Sequence, residues 1–385
     1  MVFTKKDKLA GFLLLAYLTV FPFGQLFRVT VNVLDLVAGL IFLYTIFFVR
    51  QESKAFKIFA SFFLACLFSS VFSFFIFGPS HVFIGGLYLF RLLIYLYFFR
   101  FCAGFIKGSP ARKALLFNSL VLVCLASAIF GWVQYFWYPD LTFLKSLGWD
   151  DHLFRLTGTF LDPGFTGIII GLGTVAVFLR YLTKKRKSDL ILTFFFLVTL
   201  AFTYSRASYL ATTVGILLIG FLKKRFRPVF LLIAFFAGVI IFLPKPAGQG
   251  VNLTRTYSIF SRLSNYAEVV KIARGSPLLG TGFNNLCYAK GFYLGKWESG
   301  SHSCSGADSS LLLVLATTGI IGFLIFLNAL FRFYKLLSED FYSTVVLVSG
   351  VIVLIHSLFV NSLFYAWIMG YLVILLSLPR LRGKV

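Results

Sequence analysis

Apolar residues run through this chain in long stretches, and polar residues fall in short clusters between them. Stretches such as Leu190 to Thr203, Val229 to Leu243 and Leu311 to Phe331 reach, with their flanks, the roughly 20 residues of helix needed to cross a hydrocarbon core. The pattern predicts an all-α integral membrane protein of about twelve transmembrane helices, over 9–27, 33–49, 56–77, 83–106, 114–137, 164–183, 189–204, 207–222, 229–244, 309–333, 342–360 and 361–379. Two connections on one side exceed a turn, residues 138–163 and 245–308. Within the second, Ile259, Phe260, Leu263, Tyr266, Ala267, Val270 and Ala273 recur at helical spacing and predict an amphipathic helix over about 258–274. It closes at Gly275-Ser-Pro277, ahead of a tight turn at Leu278-Leu-Gly-Thr-Gly-Phe283. With no internal repeat and no low-complexity linker, residues 1–385 read as one polytopic domain whose 245–308 loop forms part of the site.

Composition agrees, because a chain that is 59% hydrophobic, 19% aromatic and 13% charged is not an ordinary soluble globule. The formal charge of +23 adds orientation. Lys5, Lys6 and Lys8 form the first of seven basic clusters between alternate apolar runs, and Arg380, Arg382 and Lys384 form the last. Together they hold 24 of the 36 Lys and Arg residues, the positive-inside pattern, which puts both termini in the cytoplasm and the long loops on the opposite side of the cytoplasmic membrane. Cations spread this way do not make a nucleic-acid-binding face. The first apolar run is followed by Phe21-Pro22-Phe23 rather than a small-residue cleavage site, so it is read as the first membrane helix.

Arginine near lipid needs a reason, and few arginines lie outside the basic clusters. Arg206, in Thr203-Tyr-Ser-Arg-Ala-Ser208, sits on a short turn between apolar runs where Ser205 can cap the next helix; guanidinium and free helix N–H groups there make an anion-binding corner. Arg262 lies on the amphipathic helix. Arg155 precedes a helix start built from Asp162 as N-cap and Pro163 as first helical residue. Arg91, inside the fourth run, must face the bundle interior or an interface. The candidate bases are Asp308, immediately ahead of an apolar run and equally suited to cap it, and His302 in a polar loop; Glu298 and Glu268 lie on the same side. His81, His152 and His356 are isolated and are assigned nothing. Cys287 and Cys304 are a candidate disulfide in the long loop. Phosphate-binding Gly-Lys loops, dinucleotide fingerprints, paired acidic metal motifs and nucleophile elbows are absent, so no metal or cofactor is expected.

The chain resembles the bacterial O-antigen ligase and polysaccharide polymerase family. Four features in order carry the resemblance: Arg155…Gly158-Thr-Phe-Leu-Asp-Pro163; Tyr204-Ser-Arg-Ala207; Ser261-Arg-Leu263 followed by Pro277-Leu-Leu-Gly-Thr-Gly282; and Asp308-Ser-Ser-Leu running to Gly322. The resemblance implies a membrane glycosyltransferase that takes a glycan from a polyprenyl-pyrophosphate-linked oligosaccharide and joins it to a glycan or lipid acceptor, inverting and without a metal. It implies that Arg206 and Arg262 bind the pyrophosphate, with Arg155 or Arg91 assisting, and that Asp308 or His302 is the base. Where ligases carry His-Asn, this chain has Asp308-Ser309, a departure closer to the polymerases. The rival reading is a transporter of a lipid-linked sugar, against which stands the gathering of polar residues at one face rather than at the midplane of two related halves. A scaffolding role ranks third.

Overall fold

A computed structural model describes residues 5–27, 31–50, 53–147, 151–246, 248–296 and 306–382. Fourteen α-helices carry the described chain: α1 (Lys5–Val20), α2 (Val33–Phe48), α3 (Lys54–Phe77), α4 (Pro79–Ile106), α5 (Pro110–Trp137), α6 (Pro163–Lys184) and α7 (Lys187–Ala201), then α8 (Arg206–Lys223), α9 (Phe226–Ile241), α10 (Tyr257–Gly275), α11 (Leu286–Leu294), α12 (Ser310–Leu336), α13 (Phe341–His356) and α14 (Ala366–Ser377). Seven are long and apolar enough to cross a membrane: α1 with the turn that follows it, α3, α4, α5, α6, α8 and α12. The chain is thus a helical, multi-pass membrane protein. Helices α2, α7, α9, α13 and α14 are shorter than a full span, at 12 to 16 residues. One cause is visible between α13 and α14, where the expected spans abut at 360–361. The chain there is irregular from Ser357 to Tyr365, and its polar atoms anchor the start of α12: Ser310 N–H donates to the Ser357 carbonyl (2.9 Å), and the Ser310 hydroxyl bonds Asn361 Oδ1 (3.0 Å).

Helix α6 sits at the centre, against α5, α7, α8 and α13. Its glycines permit this: a Cβ on Gly167 would lie 2.5 Å from the Ser208 hydroxyl, and one on Gly171 would collide with Thr212, so the small-xxx-small face lets α8 approach closely. The basic residues gather at one end of the bundle. There Arg112 of α5 pairs with Asp7 of α1 (3.0 Å), Arg180 of α6 with Asp189 of α7 (2.6 Å), and Lys223 of α8 reaches Thr344 of α13 (3.3 Å). The N-terminus of α8, the C-terminus of α13 and the start of α12 meet at the opposite end, under α10.

The segment after α10 is driven into the bundle. Ser73 and Ser69 of α3 donate to the carbonyls of Thr281 (2.7 Å) and Thr317 (2.6 Å), and Thr281 N–H donates to the Ala316 carbonyl (3.0 Å). Gly319 breaks α12 with a left-handed φ of 63°, and Ile320 N–H then turns to the Pro277 carbonyl (2.9 Å). Irregular backbone is tolerated within a membrane bundle where protein groups satisfy it. The expected tight turn at 278–283 is therefore a docked element that fixes where α10 ends.

Candidate functional site

Ser205 caps α8 by accepting from Ser208 N–H, which places Arg206 as the first helical residue. Its guanidinium reaches the segment ahead of α10: Nη1 donates to the carbonyls of Leu253 (3.1 Å) and Arg255 (2.9 Å), and Nη2 to the Ser258 hydroxyl (2.7 Å). Arg206 thus ties the α7–α8 turn to the start of α10. Arg262, one turn along α10, has Arg206, Arg255, Asp162, Tyr266 and His356 within electrostatic reach. No hydrogen bond or ion pair engages its side chain among the described residues.

Arg155 is buried, and its Nε and Nη2 donate to the carbonyls of Thr203 (3.1 Å) and Tyr204 (3.2 Å). It therefore braces the turn that presents Arg206. Asp162 caps α6, accepting from Phe165 N–H (2.8 Å). Burial raises its carboxyl above the ordinary value, against the opposing pull of that bond and of Arg155 and Arg262. Arg91 is engaged elsewhere, paired with Asp35 of α2 at 2.6 Å and lying over the Tyr88 ring.

Asp308 is brought to α10. Its backbone N–H donates to Asn265 Oδ1 (2.9 Å), and its charge acts on Tyr266, whose hydroxyl donates to the Leu358 carbonyl. The cap of α12 is Ser309, which accepts from Leu312 N–H (3.4 Å), so the capping role does not fall to Asp308. His302 and Cys304 lie outside the described residues, as do Glu298 and Trp297. Cys287 is disulfide-bonded. Phe292 and Tyr293 pack edge-on against Phe77 of α3.

Two participants escaped sequence reasoning. Arg255 carried no motif, but its backbone and side chain both belong to the cluster: Nη1 donates to the carbonyls of Gly250 (2.6 Å) and Asn252 (2.9 Å). Burial, and then the charges of Arg206 and Arg262, hold its pKa below the ordinary value. The available signal was the rule applied to Arg206 and Arg262, that an arginine outside the basic clusters needs a reason. His356 is fully buried; its Nε2 meets the Ser208 hydroxyl (3.0 Å) and its Nδ1 that of Ser362 (2.5 Å), and Ser208 in turn meets Ser205 (2.9 Å). Nothing in its sequence surroundings marks it.

The predicted apolar stripe of α10 faces the bundle only in part: Ala273 packs against the buried cluster and the Tyr266 hydroxyl bonds the Leu358 carbonyl. Val269 and Ile272 are buried, whereas Ile259, Phe260 and Leu263 are exposed. Beside the α7–α8 turn lies an apolar groove of about 560 Å³, lined by Val198, Phe202, Phe235, Val239, Phe242 and Pro244 among others. Tyr204 joins groove to turn, its hydroxyl donating to the Pro244 carbonyl (2.6 Å).

Residues 191–327 match the model of the O-antigen ligase family. That span runs from α7 into α12 and includes Arg206, Arg255, Arg262 and Asp308. No curated protein matches the chain. Three of the four motifs that carry the resemblance fall inside the matched span, and over it the chain is similar to the O-antigen ligase family of glycan-transferring membrane enzymes.

Proposed function

We propose that the chain is a metal-independent, inverting glycosyltransferase that takes a glycan from a polyprenyl-pyrophosphate carrier on the outer face of the cytoplasmic membrane. In this reading the chain crosses about twelve times, both termini are cytoplasmic, and α10 with the 245–308 segment covers the site. The observation that carries it is the grouping of Arg155, Arg206, Arg255 and Arg262 around two carboxylates, Asp162 and Asp308, beside an apolar groove. The cationic surplus complements a dianionic diphosphate diester, and the groove suits the first isoprene units of its lipid. Guanidinium forks match phosphate oxygens in geometry and stabilise charge that develops on the leaving group.

Asp308 takes the proton of the acceptor hydroxyl, and the hydroxyl oxygen attacks the anomeric carbon on the face opposite the diphosphate. The carbon–oxygen bond to the distal phosphate breaks. Its electron pair stays on the diphosphate, where Arg206 and Arg262 hold it. Arg155 keeps Arg206 in register by bonding the carbonyls behind it.

The test supplies reconstituted protein with polyprenyl-pyrophosphate-linked oligosaccharides and follows release of free polyprenyl pyrophosphate and product length. Arg206→Ala is expected to slow release by about 10²–10³-fold, and Asp308→Ala by at least about 10²-fold, with His302→Ala near wild type. Loss on His302→Ala with Asp308→Ala active moves the base to His302. Intact donor crossing the bilayer with no bond broken overturns the proposal in favour of a transporter.

A further inference from the structure

We infer that Arg255 binds the second phosphate of the carrier and makes the site select a diphosphate over a monophosphate. This rests on the proposed function and names a residue that no motif assigns.

Donor supply limits what Arg206 can hold. A guanidinium has five N–H groups, and Arg206 spends three of them on Leu253, Arg255 and Ser258. What is left serves one phosphate as a fork. Two phosphates present more unbridged oxygens than that fork reaches; Arg262 shares them from α10, and Arg155 is turned toward the backbone carbonyls of 203 and 204. Arg255 commits only Nη1 to Gly250 and Asn252, which leaves its Nη2 and Nε edge, the edge that pairs bidentately with phosphate.

The position of Arg255 is built rather than incidental. Asn252 Oδ1 accepts from Thr254 N–H (2.9 Å) and from the Thr254 hydroxyl (2.7 Å), closing the turn that carries it. Gly250 is pressed against Arg155, where a Cβ would lie 2.7 Å from Cδ. The Arg255 carbonyl is itself a partner of Arg206. The turn therefore seats Arg255 between the brace, Arg155, and the phosphate anchor, Arg206. Among the described residues no carboxylate forms an ion pair with Arg206, Arg255 or Arg262, so three guanidinium groups stand within electrostatic reach of each other while Asp162 acts on Arg262 only beyond ion-pair distance. A bound anion offsets that repulsion, and one with two phosphates offsets more of it. Fixing a local turn explains the bonds to Gly250 and Asn252, but it needs no positive charge beside two others.

The test uses the full chain in nanodiscs, with farnesyl diphosphate and farnesyl monophosphate as probes of direct binding. Wild type is expected to prefer the diphosphate by about tenfold or more, the factor of one charge-assisted hydrogen bond. Arg255→Ala is expected to remove that preference while holding the monophosphate about as tightly as wild type, which also shows that the variant is folded. Arg255→Lys, which keeps charge and loses the fork, is expected between the two. An Arg255→Ala chain that keeps the preference, or that loses both probes equally, overturns the inference while leaving the proposed function standing. Binding of neither probe by wild type overturns both.

Discussion

Arginine has two kinds of surroundings in this molecule. Toward the basic end and inside the bundle it is neutralised: Arg112 by Asp7, Arg180 by Asp189 at 2.6 Å, and Arg91 by Asp35 at the same distance. At the junction of α8 and α10, Arg206 and Arg255 meet carbonyl and hydroxyl oxygens instead, and Arg262 meets no described partner. Charge removed from water near lipid is costly unless paired. The paired arginines meet that cost within the chain and hold helices together. Those at the α8–α10 junction are held by neutral oxygens and keep their net charge. The same residue type is thus neutralised by carboxylates in one place and held by neutral oxygens in the other, and the proposed function assigns the anion to the second.

The strongest way to break this contrast is to supply a carboxylate where it is missing. Ser258 receives a bond from Arg206 Nη2 at 2.7 Å, so Ser258→Asp puts an ion pair on Arg206. Carrier release is expected to fall about 10²–10³-fold, as for loss of the arginine itself, with thermal stability kept or raised. Ser258→Ala, which removes one bond and adds no charge, should cost far less. An active Ser258→Asp chain would show Arg206 to be a strut like Arg155.

The converse change removes a carboxylate from a paired arginine. Asp35→Asn leaves the Arg91 charge without its partner, and about 3–5 kcal/mol of stability is expected to be lost, read as a lowered unfolding temperature in detergent. Replacing both by apolar residues of similar volume, Asp35→Leu with Arg91→Met, should recover most of it. Specific activity per folded molecule should be near wild type in the double variant. Recovered stability with lost activity would move Arg91 into the site.

Much of this was legible in the sequence for a physical reason. Lipid imposes long apolar runs, which located the seven full-length spans, and it makes arginine conspicuous, which located Arg206 and Arg262. Local capping chemistry was also readable: Ser205 caps α8 and Asp162 caps α6. What failed was whatever depends on the partner across space. Asp308 and Ser309 are both good caps, and only the fold selects Ser309. The apolar spacing of α10 gave its helix but only part of its buried face, because Asn265 is taken by Asp308 and the centre of the bundle side is filled by Val269 and Ile272 beside Ala273. Arg255 and His356 acquire neighbours only when residues some 50 and 150 positions away arrive, Arg206 and Ser208.

The smallest expected effect concerns Asp162, the carboxylate on which Arg155 and Arg262 both act. Burial raises the Asp162 pKa more than Arg155 and Arg262 lower it, so its charge is not stabilised as in the pairs at the basic end. A raised carboxyl binds its proton more tightly when folded. The stability it contributes is present at low pH and is lost as pH rises through the ordinary carboxylate value to the raised one. Asp162→Asn keeps an oxygen for Phe165 N–H and fixes the neutral form. Its unfolding temperature should therefore lack that pH step. With one negative charge fewer, the cluster should bind farnesyl diphosphate about two- to fivefold more tightly at neutral pH, an effect that salt erodes. Weaker binding would mean that Asp162 aims Arg155 or Arg262 as a true ion-pair partner, and the line between arginines held by carboxylates and those held by neutral oxygens would then run through the cluster rather than around it.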